Sequence, residues 1–151
     1  MQSVEARGLD ELAKKFDALL AAMPEKRRSF HERAGEMLKA EVDRSVAASG
    51  LNDSHSKVRG WQQPAVGSMG GYAAIRAVKG ETGPNSPGAI TNYLENGHKT
   101  RAVASVDTGK WKSKKFRVDG YHFYAQANAG IRGKALQLAE EFVNDLAKGL
   151  K

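Results

Sequence analysis

The sequence predicts an α+β fold: a small antiparallel sheet with two N-terminal helices and one long C-terminal helix packed on it. Two patterns carry this expectation. Apolar residues recur at helical spacing in the first third of the chain and again near its end. Between them, two extended segments flank the glycine turn Gly67-Ser68-Met69-Gly70-Gly71. The 151 residues suit a single domain spanning 1–151.

The first helix opens at Gly8-Leu9-Asp10-Glu11, where Asp10 can cap and the acids suit the positive end of the helix dipole. Leu9, Leu12, Phe16, Leu19, Leu20 and Met23 then form one apolar face. Pro24 is read as a break and as the first position of a second helix over 24–48. That helix sets Phe30, Leu38 and Val42 on one side and charges of both signs on the other, a solvated face laced with ion pairs. Leu12, Phe16, Leu19, Phe30, Leu38, Val42, Phe142, Val143 and Leu146 are expected to build a shared three-helix core.

Ser49-Gly50 ends the helix, and a polar loop follows. Segments 57–66 and 72–78 are expected to pair as a hairpin, with Pro64 marking an edge or a bulge. Ser86-Pro87 reads as a cap and a first-turn proline for a short helix over 87–96, stopped at Asn96-Gly97. Residues 98–120 show little periodicity and are expected to form a long, mobile basic loop. Tyr121-His122-Phe123-Tyr124 should anchor the chain before the final helix, whose apolar face holds Ala135, Ala139, Phe142, Val143 and Leu146.

Composition narrows the function. With 40% hydrophobic and 27% charged residues, the chain reads as globular. It lacks the apolar run of a membrane span and, at 1–7, that of a signal peptide, so no membrane partner is expected. The absence of cysteine excludes disulfides, thiolate metal sites and a cysteine nucleophile. The net charge of +7 is concentrated: His98–Arg117 holds seven Lys and Arg residues against the single acid Asp107. A basic segment on a nearly neutral body suggests a local contact.

No constellation points to catalysis. Glu95 and His98 stand three apart and Asp53 and His55 two apart, too few ligands for zinc. Ser54 beside His55 is a sequence pair without a triad's third member. The glycine turn lacks the lysine of a phosphate loop. The chain is expected not to be an enzyme, with no catalytic, cofactor-binding or metal-binding residues. The partner-binding candidates are Lys110, Trp111, Lys112, Lys114, Lys115, Phe116 and Arg117. Cations interleaved with aromatics suit an acidic protein surface, with Trp111 as its hot spot, or nucleic acid, or fold back on the body.

Taken in order, several segments resemble a known family. They are Gly8-Leu9-Asp10-Glu11-Leu12 with its helices, the Val58–Tyr72 hairpin segment, Thr91-Asn92-Tyr93-Leu94-Glu95-Asn96-Gly97-His98, and Phe123-Tyr124-Ala125-Gln126-Ala127 leading into a helix. Together they resemble the small tail-completion or head–tail joining (neck) proteins of long-tailed phages and prophages. Leu51-Asn52-Asp53-Ser54 departs from the proline and Thr-Gly-x-Leu that many relatives carry there. The resemblance implies a structural virion protein of the tail or neck, made in the host bacterial cytoplasm. It would form a homo-oligomeric ring, a hexamer being one candidate count, and meet tail-tube and head-connector proteins. No cofactor is implied. Tyr93, Glu95, Gly97 and His98 would be structural, with Gly97 allowing a sharp turn and Glu95 holding the loop. Passing DNA is the alternative partner of the basic segment, which would make the chain a nucleic-acid-binding module acting through 98–117.

Overall fold

The computed structural model describes residues 7–103 and 113–150. The fold is α+β. In chain order the elements are helix α1 (Arg7–Ala48), a short helix α2 (Lys57–Trp61), strands β1 (Gln62–Val66) and β2 (Ala73–Ala77), helix α3 (Pro87–Asn96), strands β3 (His98–Val103) and β4 (Ser113–Val118), and helix α4 (Phe123–Lys148). The strands form two separate two-stranded sheets, β1–β2 and β3–β4.

The break expected at Pro24 does not occur: α1 is one helix of 42 residues with Pro24 inside it. A proline removes one backbone donor, here the bond to the Leu20 carbonyl, and leaves the rest of the ladder intact. Strong helix formers on both sides, Leu19-Leu20-Ala21-Ala22 and Glu25-Lys26-Arg27-Arg28, carry the helix across. At the other end Gly50, with φ +79°, turns the chain away from Ala48.

Segment 57–66 is not one strand. Asp53 accepts the backbone N–H groups of Val58 (2.9 Å) and Arg59 (3.2 Å), and this winds Lys57–Trp61 into a helical turn before β1 starts. The hairpin itself is present: Gly67 N–H donates to Tyr72 O (2.8 Å) at its tip, and Val78 N–H donates to Trp61 O (2.8 Å) at its open end. Segment 98–120 is not irregular throughout either. His98–Val103 pairs antiparallel with Ser113–Val118, from His98 opposite Val118 to Val103 opposite Ser113. Thr100, Val103, Phe116 and Val118 are the strand formers that outweigh the lysines here. Residues 104–112, with Lys110, Trp111 and Lys112, lie outside the described residues.

The chain divides into two compact units, and α1 and α4 each give a segment to both. Unit 1 comprises 1–38, 64–75 and 130–151. Its α1 and α4 segments run antiparallel: Lys26 faces Asp145 (3.9 Å), the Phe30 and Phe142 rings lie 4.8 Å apart, and Arg33 bonds Glu141 (2.9 Å). A groove of about 690 Å³ runs between them over these residues. The hairpin tip rests on α1, where a Cβ at Gly70 would stand 2.8 Å from Arg28 Cα.

Unit 2 comprises 39–63 and 76–129. It holds most of the buried apolar residues: Val42, Val46, Val58, Phe123 and Ala127, against Ile131 and Leu138 in unit 1. The three-helix core expected from sequence is therefore only partly formed. Val42 is buried and Phe30 meets Phe142, but Leu12, Phe16 and Val143 are exposed. The amphipathic pattern was real; among the described residues no element buries that part of the stripe.

Candidate functional site

The sequence motif Tyr93–His98 sits where α3 ends, β3 begins and α4 starts, all within unit 2. Ser86 caps α3 by accepting the Ala89 N–H (3.2 Å), and Pro87 fills the first turn. The helix delivers Glu95 to the start of α4. There its carboxylate accepts the backbone N–H groups of Tyr124 (2.9 Å) and Ala125 (3.2 Å). These belong to the first turn of α4, whose N–H groups have no partner within the helix. A carboxylate also suits the positive end of the helix dipole.

Backbone bonds run beside this cap. Tyr121 N–H donates to Leu94 O (2.7 Å) and His122 N–H to Glu95 O (3.2 Å). The two strands of chain cross so closely that side chains are excluded. Gly97 adopts φ +71° and ψ 176°, a region essentially reserved for glycine. A Cβ there would overlap Val118 O, and a Cβ at Gly120 would overlap Glu95 O. Tyr93 and His98, both exposed, pack ring against ring at 5.3 Å.

Beneath the cap lies a polar cluster that sequence reasoning missed. Gln62 is fully buried; its Nε2 donates to Val58 O (3.0 Å) and Thr91 Oγ1 (3.2 Å), and its Oε1 accepts the Tyr124 hydroxyl. Burial pushes the Tyr124 pKa up to about 12, and the nearby negative charge of Glu95 adds to the rise. Gln62, Thr91 and Tyr124 are spread over 62 positions of sequence, and no local pattern announces that they meet. A second polar knot surrounds Asp53. Burial raises its pKa, but the Val58 and Arg59 N–H bonds and the Arg59 guanidinium (3.0 Å) outweigh this and hold it below the usual value.

The cap and the glycine crossing anchor the β3–β4 ribbon at its base. Of the partner-binding candidates, Lys114, Lys115, Phe116 and Arg117 fall on β4. The register sets Lys99 opposite Arg117 and Arg101 opposite Lys115. Because strand residues alternate between faces, these four positions share one face of the ribbon. Like charges directly opposite each other destabilise a sheet, so the Lys99–Arg117 pair is eased by an anionic counterpart. Arg117 has one within the chain, Asp119 at 3.5 Å, with both side chains well exposed.

Ser54 Oγ lies 3.1 Å from His55 Nδ1, but the two are adjacent in sequence and exposed. Among the described residues no group of three His, Cys, Asp or Glu side chains could hold a metal ion, and no helix is long and apolar enough to cross a membrane. No family model, no curated protein and no solved structure matches the chain.

Proposed function

We propose that the chain is a structural protein of the phage or prophage tail-completion or head–tail joining type, acting through ring assembly and protein–protein contacts without turnover. The observation that supports this reading best is the cationic ribbon held on a rigid base. Glu95, Gly97 and Gly120 lock the end of α3, the roots of β3 and β4 and the start of α4 into one junction. From that junction the register puts positions 99, 101, 115 and 117, all Lys or Arg, on one face of the ribbon. Such a projection suits docking on an acidic surface of a neighbouring tail or connector subunit. Each exposed pair contributes only ~0–1 kcal/mol, so several must act together. Trp111 would supply the apolar anchor that charges alone cannot.

The same ladder favours a second reading, a duplex DNA contact, because a two-stranded ribbon fits the major groove and cations meet phosphates. Joining of purified heads and tails in vitro separates the two. Protein docking predicts that Trp111→Ala abolishes joining and that salt weakens it moderately. A DNA contact predicts the larger loss from neutralising Lys112, Lys114 and Lys115, with binding falling steeply as salt rises. Unimpaired joining by both variants would remove the ribbon from the function.

A further inference from the structure

Eight of the ten large apolar residues exposed among the described residues lie in unit 1, and six of them are on α1 and α4. On α1 they are Leu9 (70% exposed), Leu12, Phe16 (46%) and Leu20 (65%). The register of α1 against α4 explains why. Lys26 faces Asp145 and Ala22 lines the same groove as Lys148, the last residue of α4. The helices run antiparallel, so α1 residues before Ala22 extend past the end of α4. This overhang covers about fifteen residues, or roughly 22 Å at 1.5 Å per residue.

On the outer side of α4, Leu136 and Val143 (61% exposed) border a shallow hollow of about 510 Å³ that also includes Ala139, Glu140 and Asn144. Leu9, Leu12 and Phe16 are spaced by three and then four residues, and so are Leu136, Ala139 and Val143. This is the step of a helix–helix seam, in which side chains of one helix enter gaps on the other.

We propose that the overhanging arm of α1 docks on the outer face of α4 in a second copy of this chain, seating Leu9, Leu12 and Phe16 on the hollow between Leu136 and Val143. The arm cannot reach its own hollow. The antiparallel register sets Phe142 beside Phe30 and Glu141 beside Arg33, and from there the arm continues as the same helix away from residues 136–143, past Lys148 at the C-terminal end of α4. The polar sides of the arm carry Asp10, Glu11 and Asp17 as well as Lys14 and Lys15. Mixed charge of this kind suits a protein surface; a lipid-binding helix or a polyanion-binding arm is dominated by Lys and Arg. Arm and hollow are different patches, so the contact is head to tail and every copy gives one arm and accepts another. It supplies the subunit contact that a ring needs, and it rests on the tail-completion reading only for closure into one.

Sedimentation velocity of the full chain over a concentration series tests this. Wild type should sediment as an assembly. Leu12→Glu/Phe16→Glu, which spoils the arm, and Leu136→Glu/Val143→Glu, which spoils the hollow, should each sediment as monomers, with self-association at least tenfold weaker and unchanged circular dichroism. Mixing the two variants should restore a 1:1 dimer, because each retains the half the other lacks. If either pair lowers the melting temperature, the milder Leu9→Gln/Leu20→Gln and Leu136→Gln pairings replace them. A monomeric wild type, an assembly that survives in either variant, or a mixture that stays monomeric would overturn the proposal. Survival of the hollow variant alone would indicate arm-to-arm pairing instead. Ribbon variants should assemble normally, so a chain that assembles but joins no heads to tails sinks the neck reading and leaves this contact standing.

Discussion

Glu95 is placed to stabilise a helix to which it does not belong. Replacing it with Ala leaves the Tyr124 and Ala125 N–H groups without their acceptor and should cost about 1–2 kcal/mol. In a chain of this size that is a fall in Tm of about 3–6 °C, measurable by calorimetry. Glu95→Gln keeps an acceptor and should lose less; equal losses would show that position 95 matters for something other than capping. Tyr124→Phe strips the donor from the buried Gln62 Oε1 and should cost about 1–3 kcal/mol by urea denaturation. The motif at 93–98 was legible in the sequence. The partners were not, because the Glu95 contacts are 29 and 30 residues away and the Gln62 contact with Tyr124 is 62 away. Residue types and spacings do not encode contacts at that range.

Elements were legible where a terminator is local. Ser86-Pro87 and Asn96-Gly97 bound α3 at the positions expected, and Gly50 ends α1. They were misread where a distant or competing interaction decides. Lys57–Trp61 alternates loosely like a strand, yet Asp53 turns it into a helix from four residues upstream. Asp53→Ala should therefore unravel α2, visible as faster amide exchange at Val58 and Arg59; unchanged exchange would show that α2 holds without its cap. The opposite error occurred at Pro24, where a strong local signal was overridden by good helix formers around it. Pro24→Ala restores a bond to the Leu20 carbonyl and should stabilise α1 by up to ~3 kcal/mol. A lower Tm in that variant would mean that the proline shapes the helix in a way the fold requires.

At the scale of the molecule, pH is the simplest probe of unit 2. The folded pKa of Asp53 lies below its ordinary 3.8, so its ionised form favours folding. That contribution is complete above 3.8 and is lost as pH falls through the lower folded value. The folded pKa of Tyr124, at about 12 against an ordinary 10.0, makes its neutral form the stabilising one. Its contribution is complete below 10 and is lost as pH rises towards 12. Urea midpoints across pH should thus show an acid limb that Asp53→Asn flattens and an alkaline limb that Tyr124→Phe flattens. Limbs unchanged in both variants would assign the titrations to other groups. The sequence hid something else at this scale: an apolar stripe shows that a face wants cover, not whether the same chain provides it. Leu12 and Phe16 obey the same pattern as Phe30, but Phe30 meets Phe142 of α4 while the α1 residues before Ala22 lie beyond the end of α4.

The missing bond at Pro24 falls within three residues of the point where α1 leaves the support of α4. A helix is most compliant where its hydrogen-bond ladder is interrupted. Pro24 is thus the pivot of a lever about 22 Å long, and a rotation of ~10° there moves the tip by about 4 Å. Such play lets the arm meet a partner surface over a small range of angles. A stiffened lever, as in Pro24→Ala, would trade that mechanical tolerance for stability.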